Sequence, residues 1–244
     1  MIAVILQARI DSSRLPEKSL LPLGGKPLIL RVMEALNRVP AELRVLACTE
    51  DSVTAFKPLA EKAGFVLIAG SKDDVLERYC HALRTCAIQH FIRATGDNPF
   101  VFADAAAAIT NEALALGADY AGYNSGLPLG AGVESVSAKA LFRAESEAVV
   151  SYDREHVCPY LYSNPQLFLL HRPLAPLHWQ GPDIRLTVDD QEDYQRAQTL
   201  YAALDKYGQE RYHGTVIIDT YRSIFTENSV PHSTGSGTEK NIYA

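Results

Sequence analysis

The chain opens on Ile2-Ala3-Val4-Ile5-Leu6, which passes without a turn into Gln7-Ala8-Arg9-Ile10-Asp11-Ser12-Ser13-Arg14-Leu15-Pro16-Glu17-Lys18. An apolar run this short, with no polar alternation, predicts a strand covered on both faces, the kind that parallel sheets flanked by helices contain. Arg9, Arg14 and Lys18, followed by Gly24-Gly25-Lys26-Pro27, then fall beyond the strand's carboxyl end, where open α/β sheets take their ligands. Singly, each of these cations reads as a surface residue; their density after the first strand points to phosphate. Arginine offers a planar fork and lysine a mobile point charge, so such a loop suits a triphosphate. Two commoner phosphate loops do not fit. No Gly-x-Gly-x-x-Gly follows the strand, and Gly24-Gly25-Lys26-Pro27 lacks both the spacing and the Ser/Thr of a Walker A loop. Side chains are therefore expected to hold the phosphates.

Further on, short apolar runs alternate with helical patterns, which predicts a parallel sheet covered by helices. Strands are expected near 2–7, 43–48, 65–69, 89–94 and 118–123, and helices near 27–37, 52–63, 73–87 and 102–115. The stretch 124–182 breaks this rhythm with Gly126, Gly130 and Gly132. It carries a strand-like 133–137, helical patterns near 138–149 and 153–163, and an apolar strand near 167–171. A helix over 190–206 and a short strand over 215–218 follow, the latter leading into a last helical turn. From Thr226 the chain turns polar, so the expected organisation is one domain over 1–225, with an excursion at about 124–182, and a tail over 226–244.

Two aspartates end apolar runs. Phe91 to Thr95 leads into Gly96-Asp97, and Ile184 to Val188 leads into Asp189-Asp190, so both runs are read as strands that deliver a carboxylate to the ligand crevice. Such a pair can hold Mg2+, which takes hard oxygen ligands and completes its octahedron with phosphates and water. The competing reading has Asp97 closing a turn and Asp189 capping a helix. The basic loop favours the metal for Asp97 and Asp189, and leaves Asp190 as the helix cap.

The segment from Gln7 to Leu28, Gln-Ala-Arg-x-x-Ser-Ser-Arg-Leu-Pro-x-Lys followed by Leu-Pro-Leu-Gly-Gly-Lys-Pro-Leu, resembles the sugar cytidylyltransferases of the spore-coat-polysaccharide type, relatives of the CMP-KDO and CMP-sialic acid synthetases. Gly70-Ser71-Lys72-Asp73-Asp74-Val75-Leu76-Glu77-Arg78-Tyr79, Arg93 to Pro99, Arg154-Glu155-His156-Val157 and Arg185 to Asp189 match in the same order, covering about 1–205. The resemblance implies a three-layer, mostly parallel-sheet nucleotidyltransferase fold of the Rossmann-like, GT-A-like class, with a small excursion that lines the sugar site and pairs two subunits. It implies that CMP passes from CTP to a sugar, with Mg2+ on Asp97 and Asp189. Arg9, Arg14 and Lys18 would neutralise the triphosphate, and the backbone of Leu6 and Ala8 with Ser71, Asp74 and Arg78 would surround the nucleotide. Asp73 and Asp74 read equally well as the acidic start of a helix. Glu134, Arg154, Glu155 and His156 would bind the acceptor, and the Arg/His pair suits an acidic sugar. The general base stays open between His156 and a hydroxide on the metal.

This chain departs from the family where Gly130-Ala131-Gly132-Val133-Glu134 stands for Gly-Leu-Asp-Val-Glu, at Asp11 and Glu17, which replace glycines, and at Asp190-Gln191, which replaces Thr-Pro. These changes spare the phosphate and metal positions and touch specificity. Three other readings stand beside the main one: a nucleotidyltransferase for UTP or GTP or for a non-sugar acceptor, a glycosyltransferase of similar fold, and a non-catalytic nucleotide-binding subunit. Gly96-Asp97-Asn98 lacks the Asp-x-Asp pattern expected of the glycosyltransferase. A net charge of −6 argues against a nucleic-acid partner, and no apolar stretch is long enough for a membrane span, so a cytoplasmic protein is expected. Cys48, Cys80, Cys86 and Cys158 form no Cys-x-x-Cys pair and are expected reduced. The apolar strand of the excursion needs cover that the main sheet does not give, which points to a homodimer.

Overall fold

A computed structural model describes residues 1–225; the polar tail expected over 226–244 lies outside the described residues. The strands are β1 (Ile2–Ala8), β2 (Pro22–Leu23), β3 (Lys26–Pro27), β4 (Leu43–Thr49), β5 (Val66–Gly70), β6 (His90–Thr95), β7 (Tyr120–Ala121), β8 (Glu134–Ser137) and β9 (Leu170–His171). The helices are α1 (Leu28–Leu36), α2 (Val53–Ala63), α3 (Val75–Thr85), α4 (Ala103–Leu116), α5 (Ala138–Glu147), α6 (Ser151–His156), α7 (Pro159–Tyr162), α8 (Gln191–Leu204) and α9 (Gly214–Phe225). Seven strands form one sheet in the order β5-β4-β1-β6-β8-β7-β9, and β2 pairs with β3 in a separate hairpin. β1 runs parallel to β4 and β6, β4 parallel to β5, and β7 parallel to β9; within this sheet β8 runs antiparallel to both its neighbours.

The alternation of side chains along β1 divides the core. Val4 and Leu6 point into one apolar layer with α1, α2, α4, α8 and α9, whereas Ala3 and Ile5 point into the other with α3, α5 and α7. All four side chains are fully buried, as a central parallel strand requires. The three-layer, mostly parallel α/β fold thus agrees with the expectation from sequence.

Five expected elements differ from it. The stretch 215–218 lies inside α9 rather than in a strand. Its Ile217 and Ile218 continue into Tyr221, Ile224 and Phe225 at helical spacing, and Asp104 accepts the first-turn N–H of Gly214 at 3.1 Å. A four-residue apolar run does not by itself separate the two periods. The run 184–188 is extended but belongs to no sheet strand: Leu186 N–H donates to Leu129 O at 2.8 Å and Val188 N–H to Asp97 O at 2.9 Å. The apolar strand of the excursion shrinks to Leu170–His171, and the expected 118–123 to Tyr120–Ala121. Single hydrogen bonds carry the pairing a little further, Gly122 N–H donating to His171 O at 3.1 Å and Asn124 N–H to Pro173 O at 2.9 Å, without lengthening the strands. The helix expected over 153–163 is split into α6 and α7 by Val157, at φ 74 and ψ −58, whose neighbours close a three-residue turn, Cys158 N–H donating to His156 O at 2.9 Å.

Gly130 locks the excursion against the 184–188 segment. Its φ is +92, and a Cβ there would lie 2.6 Å from Thr187 N and 2.9 Å from Asn98 Oδ1. Gly64, the C-terminal cap of α2 at φ +76, has nothing within 4 Å of that position. Gly64→Ala should cost about 1 kcal/mol of backbone strain, and Gly130→Ala at least about 2 kcal/mol, because contact with main-chain atoms adds to the same strain. Denaturant unfolding of the two variants checks this, and equal losses would remove the close-packing role of Gly130.

Candidate functional site

The carboxyl ends of β1 and β6 open into a cleft of about 550 Å³ whose lining includes Ala8, Arg9, Arg14, Lys18, Arg78, Asp97, Glu155, His156 and Asp189. Each comes from a different local device. Ala8 ends β1, and the loop after it carries Arg9, Arg14 and Lys18. Asp97 follows β6 in a turn, where its Oδ1 accepts the Thr95 hydroxyl at 2.6 Å. Asp189 closes the extended 184–188 segment just before α8, and Asp190 caps that helix by accepting Asp193 N–H at 2.9 Å.

The Lys18 ammonium sits at the meeting point. It lies 3.5 Å from Asp97 Oδ2 and 3.3 Å from Asp189 Oδ1, and donates to Val188 O at 2.8 Å. Its side chain is only 14% exposed, so these contacts are poorly screened and outweigh an ordinary surface pair. Arg14, two-thirds exposed, reaches Asp189 Oδ1 at 3.1 Å. Arg9 is exposed at the mouth. Asp97 and Asp189 are hard-oxygen donors of the kind Mg2+ takes, and the Lys18 ammonium holds the point between them, so an ion would bind on the cleft side of the pair. Among the described residues no group of three or more His, Cys, Asp or Glu forms a metal cage, so such an ion would draw its remaining ligands from substrate and water.

Sequence reasoning missed the support behind Asp189. Asp193, almost completely buried, accepts the Asp189 main-chain N–H at 3.0 Å and both Arg185 Nε and Nη2, at 2.8 and 2.9 Å. Burial works against its charge, but these donors together with Arg196 hold its carboxyl down at about 2. Arg185 also grips Asp189 Oδ2 at 2.8 Å. Helical spacing gave no signal for this support, because Arg185 and Asp189 precede α8 in an extended segment and only the fold brings them to Asp193.

The remaining expected residues are spread more widely. Leu6 is fully buried, pairs with Leu46 and Ala94 in the ladders, and does not line the cleft. Arg78 is 2% exposed, and burial lowers its pKa, with the nearby Arg9 charge adding to the effect; it donates to Ser71 O at 2.6 Å. Ser71 lines a second cleft with Thr49, Glu50 and His81. Asp74 caps α3, accepting Glu77 N–H at 2.9 Å, and its other oxygen accepts Arg154 Nε at 2.6 Å, so it has the helix-start role that its sequence allowed. Arg154 donates as well to Glu145 O and Ala148 O, both at 3.1 Å, and does not line the phosphate cleft. Glu155 and His156 are exposed at its edge, with the His156 ring 4.3 Å from that of Tyr152. Glu134 lines an adjoining cleft of about 400 Å³. Cys48, Cys80 and Cys158 are buried, Cys86 is partly so, and none is in a disulfide. Burial pushes the Cys48 thiol up to about 11, which keeps it protonated.

Known proteins resemble the chain along most of its length. The family described as cytidylyltransferase matches residues 3–220. The spore coat polysaccharide biosynthesis protein SpsF of Bacillus subtilis is 32% identical over 207 residues, 82% of this chain and 86% of that protein. A 3-deoxy-manno-octulosonate cytidylyltransferase of Chlorobium luteolum is 35% identical over 100 residues, 40% of this chain and 39% of its own. The structure of a cytidylyltransferase from Leptospira borgpetersenii superposes with a TM-score of 0.82 at 23% identity, covering 97% of this chain and 99% of that one, and so shares the fold.

The Lys18 contacts generate a test. Lys18→Ala is expected to weaken a nucleoside triphosphate by at least about tenfold, roughly 1.4 kcal/mol, and the monophosphate by clearly less. Calorimetry that finds equal losses for the two would assign Lys18 to structure alone.

Proposed function

The chain belongs to the cytidylyltransferase family, and from that premise we propose that it moves the cytidylyl group of CTP onto a sugar hydroxyl, giving a CMP-sugar and pyrophosphate for surface polysaccharide or glycan synthesis. The observation that carries the reading is the convergence of Lys18, Asp97 and Asp189 at the end of the first strand, flanked by Arg9 and Arg14. The product's role draws on the name of the Bacillus subtilis relative.

In the proposed reaction the sugar oxygen attacks the α-phosphorus in line, the bond from that phosphorus to its β-side bridging oxygen breaks, and the electron pair leaves with pyrophosphate. Arg9, Arg14 and Lys18 neutralise the β and γ oxygens, where the negative charge grows. Asp97 and Asp189 would hold Mg2+, which supplies charge neutralisation and orientation at the reacting phosphate. Arg185 and Asp193 keep Asp189 in place, so the carboxylate does not have to reorganise when substrate arrives. His156, exposed at the cleft edge, or a hydroxide on the metal would take the hydroxyl proton. Arg78, close to the Arg9 charge and hydrogen-bonded to Ser71 O, would meet the base together with Ser71.

The finer acceptor reading is an acidic sugar, favoured by the similarity to the 3-deoxy-manno-octulosonate cytidylyltransferase. The Arg154 guanidinium is committed to Asp74. An acceptor carboxylate would therefore face the phosphate cleft, where Arg9, Arg14 and Lys18 stand. We place the enzyme in the cytoplasm, where CTP is made; among the described residues no helix is long and apolar enough to cross a membrane. We also propose a homodimer through the excursion, where Leu169, Leu174 and Leu177 are 55%, 67% and 85% exposed close to the open edge of β9.

Pyrophosphate release with each of the four nucleoside triphosphates, against acidic and neutral sugars, tests the reading, and dependence on UTP or GTP would replace CTP. Asp97→Asn and Asp189→Asn should each cut turnover by at least about tenfold, roughly 1.4 kcal/mol in the barrier, with the fold intact. Near-normal turnover in either variant removes that residue from the metal site. Sedimentation should report a dimer both for the whole chain and for one ending at Asn228. A monomeric whole chain overturns the interface, and a dimer lost only on shortening moves it into the tail.

A further inference from the structure

The cleft that contains Glu134 adjoins the phosphate cleft, sharing Arg93 and Thr95 with it. The two differ in how many charged side chains line them. Arg93 and Glu134 are the only charged side chains among the described residues that line the adjoining cleft, and they neutralise each other. Arg93 Nη1 donates to Glu134 Oε2 at 2.5 Å and Nη2 to Gln7 Oε1 at 3.1 Å, while the second Glu134 oxygen accepts the Tyr120 hydroxyl at 2.8 Å. Burial opposes the Arg93 charge, but Glu134 more than offsets it and holds the guanidinium pKa above its ordinary value. The rest of the lining is neutral, with Thr95, Asn98, Tyr120, Tyr123, Asn124 and Ser125 as its amides and hydroxyls.

Unmet hydrogen bonding lies on these neutral groups. Asn98 Nδ2 donates to Thr95 Oγ1 at 2.8 Å, but its Oδ1 is buried with no partner among the described residues, and so is the Tyr123 hydroxyl. Burial pushes the Tyr123 phenol up to about 12, so it is a protonated donor at neutral pH. A carboxylate only accepts hydrogen bonds and cannot satisfy an amide oxygen, whereas an alcohol both donates and accepts.

Resting on the acceptor reading above, we propose that this adjoining cleft receives the part of the acceptor away from the reacting carbon and requires that part to be uncharged and hydroxyl-bearing, with Asn98 and Tyr123 reading its hydroxyls and the Arg93–Glu134 pair forming a self-neutralised wall. The acceptor then divides its chemistry between the clefts. An acid group next to the reacting carbon faces the cations of the phosphate cleft; an acid group at the far end of the sugar would meet Glu134 with no free cation to compensate.

The test uses matched sugars that differ only at the far end, glucose with glucuronate and galactose with galacturonate. Each is followed by pyrophosphate release with CTP, and by saturation-transfer NMR on the enzyme with CMP bound, which reads binding without turnover. The neutral member of each pair should be favoured by at least about tenfold in kcat/KM or in binding. Glu134→Gln leaves the Arg93 charge unbalanced and should narrow or reverse that ratio, Glu134→Asp should keep it, and thermal melting confirms that both variants fold. Tyr123→Phe should raise the acceptor KM and leave the KM for CTP unchanged. Equal or preferential use of the uronates by the wild-type enzyme overturns the proposal and leaves cytidylyl transfer standing. Turnover with a different nucleotide overturns cytidylyl transfer, and the sugar ratio still decides the pocket.

Discussion

The ammonium of Lys18 holds together three segments that are far apart in the chain: the loop after β1, the turn after β6 and the extended segment before α8. Without that cation two carboxylates would face each other across a partly buried cleft, and their repulsion would force the segments apart or drive a proton onto one of them. With it, the loop is fixed without a glycine cradle. This explains how a chain that lacks both common phosphate-binding loops can still hold its cationic loop in a defined place. It also explains the depth of support around Asp189, whose position depends on a segment outside the sheet and so needs Arg185 and Asp193 to replace the missing ladder.

Charged side chains are divided unevenly between the two neighbouring clefts. Six cationic and five acidic side chains line the cleft at the end of β1, whereas among the described residues the cleft beside it carries only the Arg93–Glu134 pair. Such a division suits a group transfer in which one substrate is strongly anionic and the other brings hydroxyls, because each cleft repels or ignores what the other needs. The boundary is Arg93, on a central strand, where a long side chain reaches both sides. Gly130 completes the boundary by letting the excursion approach the Asp189 segment at main-chain distance.

Several features were legible in the residues alone. The apolar runs of β1, β4 and β6 set the layers, because a strand without alternation has to be covered twice. The loop of Arg9, Arg14 and Lys18 and the carboxylate of Asp97 could be read because they follow such strands directly, and the strand end fixes where they go. Asp189 was found for a reason that proved only half right: the run before it is extended, yet it pairs with Leu129 and Asp97 rather than with a strand. The pattern over 215–218 misled because four apolar residues fit either period.

The sequence by itself determined the layered α/β architecture and the family, since burial pattern and motif order are properties of the chain read in line. Only the tertiary structure decided what each charge is for. Arg154 could have served an acceptor until the fold brought Asp74 and two carbonyls to it. Arg93 gave no signal until Glu134, 41 residues away, arrived to cancel it. A side chain's charge is written in the sequence, but whether that charge remains available depends on which partner long-range packing places within hydrogen-bonding distance.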